Sequence, residues 1–265
     1  MGNAAQALAI AKGDGRVSER IVVEQIEKSF PDFRGGEVRA VDKVSFRCRA
    51  GEIFGLLGLN GAGKTTTLRM LSTVLTPTAG TAVLDGHDIL REPRAVRASI
   101  GFLSGTTGLY HRLTPRETLR FFGEFHGMSG AALHERVEHV LQLFDIGSYA
   151  GQRCDKLSTG MKQKVNIGRA VVHDPPILIL DEPTSGLDVL AAATTLEFVA
   201  RCRDEGKCVL FSTHVMSEAE KLCDRIAIIH RGTIRAEGTL SELRAATGQH
   251  YLEDVFRHVV QETPA

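Results

Sequence analysis

One stretch limits what this chain can fold into more than any other: Gly58-Leu59-Asn60-Gly61-Ala62-Gly63-Lys64-Thr65. It fills every fixed position of the phosphate-loop pattern G-x-x-x-x-G-K-[ST]. An apolar run, Ile53-Phe54-Gly55-Leu56-Leu57, precedes it and reads as a buried parallel strand. A helical stretch follows, with Leu68, Leu71 and Leu75 assigned to one face. Strand, glycine loop and helix start together make a phosphate cradle. The glycines let backbone N–H groups turn inward, and the helix N-terminus adds partial positive charge. Lys64 would reach the β- and γ-phosphates, and Thr65 would place its hydroxyl on Mg²⁺. A plain glycine turn would need neither the strand before it nor the helix after it.

The rest of the composition narrows the class. Lys plus Arg equals Asp plus Glu at 32 each, so no basic excess points to nucleic acid. The five cysteines (Cys48, Cys154, Cys202, Cys208, Cys223) contain no C-x-x-C pair and read as buried thiols of a reducing compartment. The histidines show no metal spacing. No apolar run approaches the ~18 residues of a membrane helix. The Ala-rich start is broken by Lys12, Asp14 and Arg16 and lacks a secretory layout. Gln6 stands where an acylation motif needs Ser or Thr. Residues 1–20 read as a disordered lead.

Further on, Ile21–Ile26, Val44–Cys48, Thr81–Leu84 and Ile100–Leu103 read as strands. From Leu113 to Phe144 the texture becomes helical: Leu119, Phe122 and Phe125 recur at helical spacing, as do Val137, Val140, Leu141 and Phe144. Met161, Val165, Gly168 and Val172 mark another helix face. Ile177–Leu180, Cys208–Phe211 and Ile226–Ile229 are buried strands, the last paired with Thr233–Ala236 across Arg231-Gly232. Leu240 to Val260 reads as two short helices.

The strand Ile177–Leu180 ends in two carboxylates, Asp181 and Glu182. A strand tip beside a phosphate loop is where Mg²⁺ must be held, which suits Asp181. Glu182 can orient the water that attacks the γ-phosphorus and accept its proton. Helix capping is the competing explanation, because Pro183, Thr184 and Ser185 follow. Leu157-Ser158-Thr159-Gly160-Met161 also opens a helix. Ser158 suits an N-cap, and the functional alternative is an anion site at that helix start.

Taken together these motifs resemble the nucleotide-binding subunit of an ABC transporter. Gly58–Thr65 is similar to the family's Walker A, Ile177–Glu182 to its Walker B, and Leu157–Met161 to its signature, with Thr for one Gly and Met for the Gln. Ser185-Gly186-Leu187-Asp188 resembles the D-loop, and His214 the switch histidine. Phe30 stands where the family stacks an aromatic ring on adenine, with Phe33 as the alternative. The likeness covers residues 21–240. Gly101–Tyr110, Met161–Lys164 and Leu252–Phe256 bring it closer to the ATPases of ABC-2 type exporters, including the NatA-like group. One position departs from the pattern: Gly105 stands where the family's Q-loop presents a glutamine, and Thr106 or Thr107 are the nearest substitutes.

The resemblance implies an α/β P-loop NTPase with a RecA-like core (21–105 and 160–240). It also implies a small antiparallel β subdomain, an inserted all-helical subdomain (about 106–159) and a helical extension (241–265). ATP and Mg²⁺ would be held by Asn60, Gly61, Ala62, Gly63, Lys64, Thr65 and Thr66, with Asp181 on the metal and Glu182 and His214 on the γ-phosphate side. Ser158 and Gly160 would close over ATP held by a second ATPase subunit, in a homodimer or a paired assembly. A separate transmembrane permease subunit is the implied partner, with this chain peripheral to it at the cytoplasmic face of the cell membrane. The competing classes are a soluble non-transport ABC ATPase and a nucleotide-dependent regulatory module.

Overall fold

A computed structural model describes residues 18–32, 35–105 and 108–261. Its strands begin with β1 (Glu19–Pro31), β2 (Glu37–Arg49), β3 (Ile53–Leu57), β4 (Ala79–Leu84) and β5 (His87–Asp88). They continue with β6 (Ile100–Leu103), β7 (Ile177–Asp181), β8 (Cys208–Thr213), β9 (Arg225–His230) and β10 (Thr233–Gly238). β1 opens at Glu19, so the expected disordered lead gives way to a paired strand two residues early: Glu19 registers with Arg49. Phe33, Thr106 and Thr107 lie outside the described residues, as do residues 1–17.

Among the described residues the strands form two sheets. One is antiparallel, in the order β2-β1-β4-β5. In β2, Val41, Val44, Phe46 and Cys48 are buried while most of the residues between them are exposed, the alternation of a sheet with one wet face. The other sheet has the order β10-β9-β3-β8-β7-β6, parallel apart from its β10–β9 hairpin. β3, β7 and β8 are buried at every residue. Helices cover both faces of a parallel sheet, which is why these strands read as unbroken apolar runs. Register then does the functional work. Leu57 lies beside Thr213 and Asp181 beside Ser212, so three carboxyl ends finish at one edge, where open parallel sheets bind ligands.

The helices are α1 (Lys64–Leu71), α2 (Pro93–Ser99), α3 (Pro115–Phe125), α4 (Gly130–Leu143), α5 (Thr159–Val171), α6 (Val189–Asp204), α7 (Met216–Leu222), α8 (Leu240–Thr247) and α9 (Leu252–Gln261). α1 is shorter than its leucines suggest. The Ser72 hydroxyl donates to the Leu68 carbonyl and Thr73 turns to φ +60°, so Leu75 leaves the helix yet still packs on the core. α3 starts with a reciprocal cap: Glu117 N–H donates to the Thr114 hydroxyl and Thr114 N–H to the Glu117 carboxylate. Leu119, Leu133, Val137, Val140 and Phe144 pack with Val165 and Ile167 of α5 into one core. Phe125, placed by spacing on the face of Leu119, is instead 74% exposed at the end of α3. Cys48, Cys154, Cys202 and Cys208 are buried and Cys223 is half-buried, all as free thiols.

Candidate functional site

The glycine loop leaves the carboxyl end of β3 and enters α1 through Gly63, whose φ of +107° an L side chain rarely adopts. A Cβ there would also lie 2.7 Å from the Ala40 carbonyl of β2. A Cβ on Gly58 would meet the Ile229 carbonyl at 2.5 Å, so glycine is needed at both ends of the loop by close backbone approach. The β9–β10 turn clamps the loop from the side: Gly232 N–H donates to Ala62 O at 2.9 Å, and Asp42 N–H donates to Gly232 O at 2.8 Å. Neither Gly232 nor Asp42 carries a motif. The only sequence signal was the Arg231-Gly232 hairpin turn.

Lys64 is 4% exposed. Its ammonium donates to Gly58 O at 2.7 Å and Leu59 O at 3.2 Å, and pairs with Glu182 Oε1 at 3.1 Å. His214 Nδ1 reaches the same Glu182 oxygen, also at 3.1 Å. Lys64, more than a hundred positions before the other two in sequence, therefore meets His214 on one carboxylate oxygen of Glu182. Burial opposes ionisation of Glu182, but hydrogen bonds from His214 and Lys64 and their charges outweigh it, holding the carboxyl below its usual range. A depressed carboxyl stays ionised at neutral pH and can accept hydrogen bonds from a water. Glu182 itself turns to φ +48°, left-handed backbone that is uncommon for a non-glycine residue.

Ser212 holds this turn. Its hydroxyl donates to Asp181 Oδ1 at 2.7 Å, and its oxygen accepts from Glu182 N–H at 3.2 Å. Sequence reasoning assigned Ser212 no role, although a hydroxyl two positions before His214 on a buried strand is a signal. Asp181 is buried, and its carboxylate offers hard oxygen donors of the kind that fit Mg²⁺. Among the described residues no cluster of three His, Cys, Asp or Glu could form an all-protein cage. Mg²⁺ sites completed by water and phosphate oxygens need none.

The Ser158 turn is a cap: its hydroxyl accepts from Met161 N–H at 3.3 Å at the start of α5. Ser158 is exposed, and a Cβ on Gly160 would meet nothing within 4 Å. No hydrogen bond or ion pair among the described residues joins Ser158 to the glycine loop. The α5 helix is tied instead to the carboxylate turn, where Gln163 Nε2 donates to Pro183 O at 2.8 Å. Phe30 sits near the end of β1, 38% exposed, with Lys28 Nζ 5.3 Å above its ring. Gly105 is exposed with open space around it.

Comparison with known proteins bears on the family and the fold. The sequence pattern of the ABC transporter family matches residues 41–185. The ABC transporter ATP-binding protein NatA of Bacillus subtilis is 40% identical over 220 residues, 83% of this chain and 89% of that protein. The Nod factor export ATP-binding protein I of Paraburkholderia xenovorans is 43% identical over 226 residues, 85% and 73% of the two chains. The solved ATP-binding subunit of an ABC transporter superposes with a TM-score of 0.82 at 31% identity, covering 90% of this chain and 98% of that one. A dimeric ATP-binding cassette in a post-hydrolysis state with ADP and Pi superposes at 0.77, with 25% identity and coverage of 83% and 98%.

Proposed function

We infer the working of this copy from one premise: the chain belongs to the ABC transporter family, as one of its ATP-binding proteins. It binds and hydrolyses ATP as the engine subunit of an ABC-2 type exporter. The convergence of Lys64 and His214 on Glu182 carries the assignment of roles. Lys64 exchanges its contact with Glu182 for the β- and γ-phosphate oxygens, which frees that carboxylate to orient the attacking water and accept its proton. His214 stays within reach of the γ-phosphate. Backbone N–H groups from Asn60 to Thr66 cradle the phosphates. Thr65 and Asp181 hold Mg²⁺, whose charge offsets that of the phosphates. Phe30 stacks on adenine.

The exposed Ser158 turn, joined to the glycine loop by no hydrogen bond among the described residues, suits a partner's nucleotide. In a two-fold dimer Ser158 and Gly160 of one protomer complete the site of the other, and the dimeric cassettes of similar fold support this pairing. ATP then closes the dimer, and hydrolysis opens it. No described helix is long and apolar enough to cross a membrane. A separate permease recruits the chain to the cytoplasmic face of the membrane and docks on the helical region near the exposed Phe125.

Glu182→Gln tests this. Turnover should fall at least about a hundredfold while an ATP-bound dimer accumulates in size-exclusion chromatography. Unimpaired hydrolysis would remove Glu182 from the mechanism, and absence of any ATP-dependent dimer would remove the composite site.

A further inference from the structure

Glu182 is aimed by a backbone turn that two separate elements pin. Its φ of +48° is left-handed, and a non-glycine residue keeps such a conformation only where its surroundings hold it. Ser212 of β8 accepts from Glu182 N–H at 3.2 Å. Gln163 of α5 donates from Nε2 to the Pro183 carbonyl, one residue past Glu182, at 2.8 Å.

The rest of the turn closes on itself. Ser185 N–H donates to Glu182 O, and Leu187 N–H to Thr184 O, each at 3.1 Å. The Pro183 carbonyl between them receives no backbone donor among the described residues, so the Gln163 amide is what satisfies it. Pro183 is buried and Gln163 half-buried, which leaves little water to compete for the bond. Five residues before Gln163, on the same helix, stands the exposed capping hydroxyl of Ser158. Thr159 adds a second touch: a Cβ on Gly186 would lie 3.9 Å from Thr159 Cγ2. α5 thus meets the carboxylate turn and the segment after it at two points.

We propose that Gln163 is a positioning residue for hydrolysis. Its bond to the Pro183 carbonyl keeps Glu182 of its own chain aimed at the attacking water, and ties that aim to whatever Ser158 of the same helix engages. This rests on the two-subunit reading above and deepens it. A helix is stiff over the stretch from Ser158 to Gln163, about 7.5 Å at 1.5 Å per residue. When Ser158 closes on the partner's nucleotide, the start of α5 is fixed against phosphate, and the amide carries that position to Pro183. The base of one site is then set by occupancy of the other.

The test starts with Gln163→Met in the full chain, which keeps the side chain's length and removes its N–H donors. Its kcat should fall about tenfold with the KM for ATP within about twofold, because the glycine loop is untouched. An unchanged kcat, or a KM that rises while kcat holds, would overturn the proposal. A mixing experiment then separates aiming of Glu182 from support of Ser158. Glu182→Gln chains lack the base and Ser158→Phe chains lack the capping turn, so each is inactive alone. Combined before ATP is added, they form one intact site from the Glu182 of the second and the Ser158 of the first. Gln163→Met placed in the Ser158→Phe chain should cut the regained rate about tenfold; placed in the Glu182→Gln chain, it should cut it by less than about twofold. Equal losses, or the reverse order, would overturn the proposal. The second placement also shows that the variant folds. If it regains no rate, Gln163→Asn, the same amide one methylene shorter, must show the same asymmetry. If the parent chains regain no rate on mixing, the two-subunit reading fails and the link to Ser158 with it, while the kcat and KM of Gln163→Met still decide whether the bond aims Glu182.

Discussion

Lys64 and Arg169 are cations in opposite circumstances. Both are almost fully buried, at 4% and 6% exposed. Lys64 has two carbonyls and a carboxylate around its ammonium. Arg169 has one carbonyl and the face of a ring. The cleft at the glycine loop is therefore electrostatically closed within one chain, Lys64 and Glu182 holding each other in place. The groove beside Arg169, where α3 and α5 meet β6, is open, and among the described residues no carboxylate pairs with that buried side chain. A buried charge that is matched marks machinery the chain carries itself, and one without a carboxylate is kept at a cost in stability.

The sharpest way to break this comparison is Lys64→Ala. Losing a charge-assisted donor should weaken ATP binding about a hundredfold, read by calorimetry with the purified chain. Unchanged affinity would mean that the closed cleft is not the phosphate site.

A pH series probes the same pair. Glu182 has a lowered carboxyl pKa in the folded chain, so its ion pairing stabilises the fold above the unfolded carboxyl value and is lost as pH falls through the folded one. The urea midpoint of the wild type should exceed that of Glu182→Gln at neutral pH, and the gap should close below about pH 4. A gap that persists into acid would show that Glu182 stabilises the fold by something other than its charge.

The smallest structural effect belongs to Gly105→Gln. Nothing lies within 4 Å of the Cβ this change adds, so stability should move by less than about 0.5 kcal/mol in denaturant titration. The ATPase rate, or its response to the membrane subunit, should change about fivefold. If neither moves, another group already does the glutamine's work, and Arg169, which donates to the Gly108 carbonyl, is the first to examine.

The glycine loop and the carboxylate turn were legible because they are written in contiguous runs. A phosphate loop needs fixed residues at fixed spacing, and Asp181 and Glu182 sit at the end of an apolar strand that can be read by eye. Ser212 and Gly232 escaped because nothing in their neighbourhoods says what lies across the sheet. Phe125 was misplaced for the same reason: periodicity assigns a helix face but not how far the neighbouring helix extends to cover it. The leucines after Lys64 suggested a longer helix, but the backbone turns left-handed at Thr73 and the helix stops at Leu71.

The sequence by itself determined the phosphate loop, the carboxylate pair, the parallel core strands and the family likeness, because local spacing dictates each of them. Only the tertiary structure decided that Lys64 and His214 share one oxygen of Glu182, and that Arg169 is buried without a carboxylate partner among the described residues. Those facts depend on strand register and helix packing, which bring Lys64 and Glu182, more than a hundred positions apart, within 4 Å, and give Arg169 a carbonyl and a ring face but no carboxylate among the described residues.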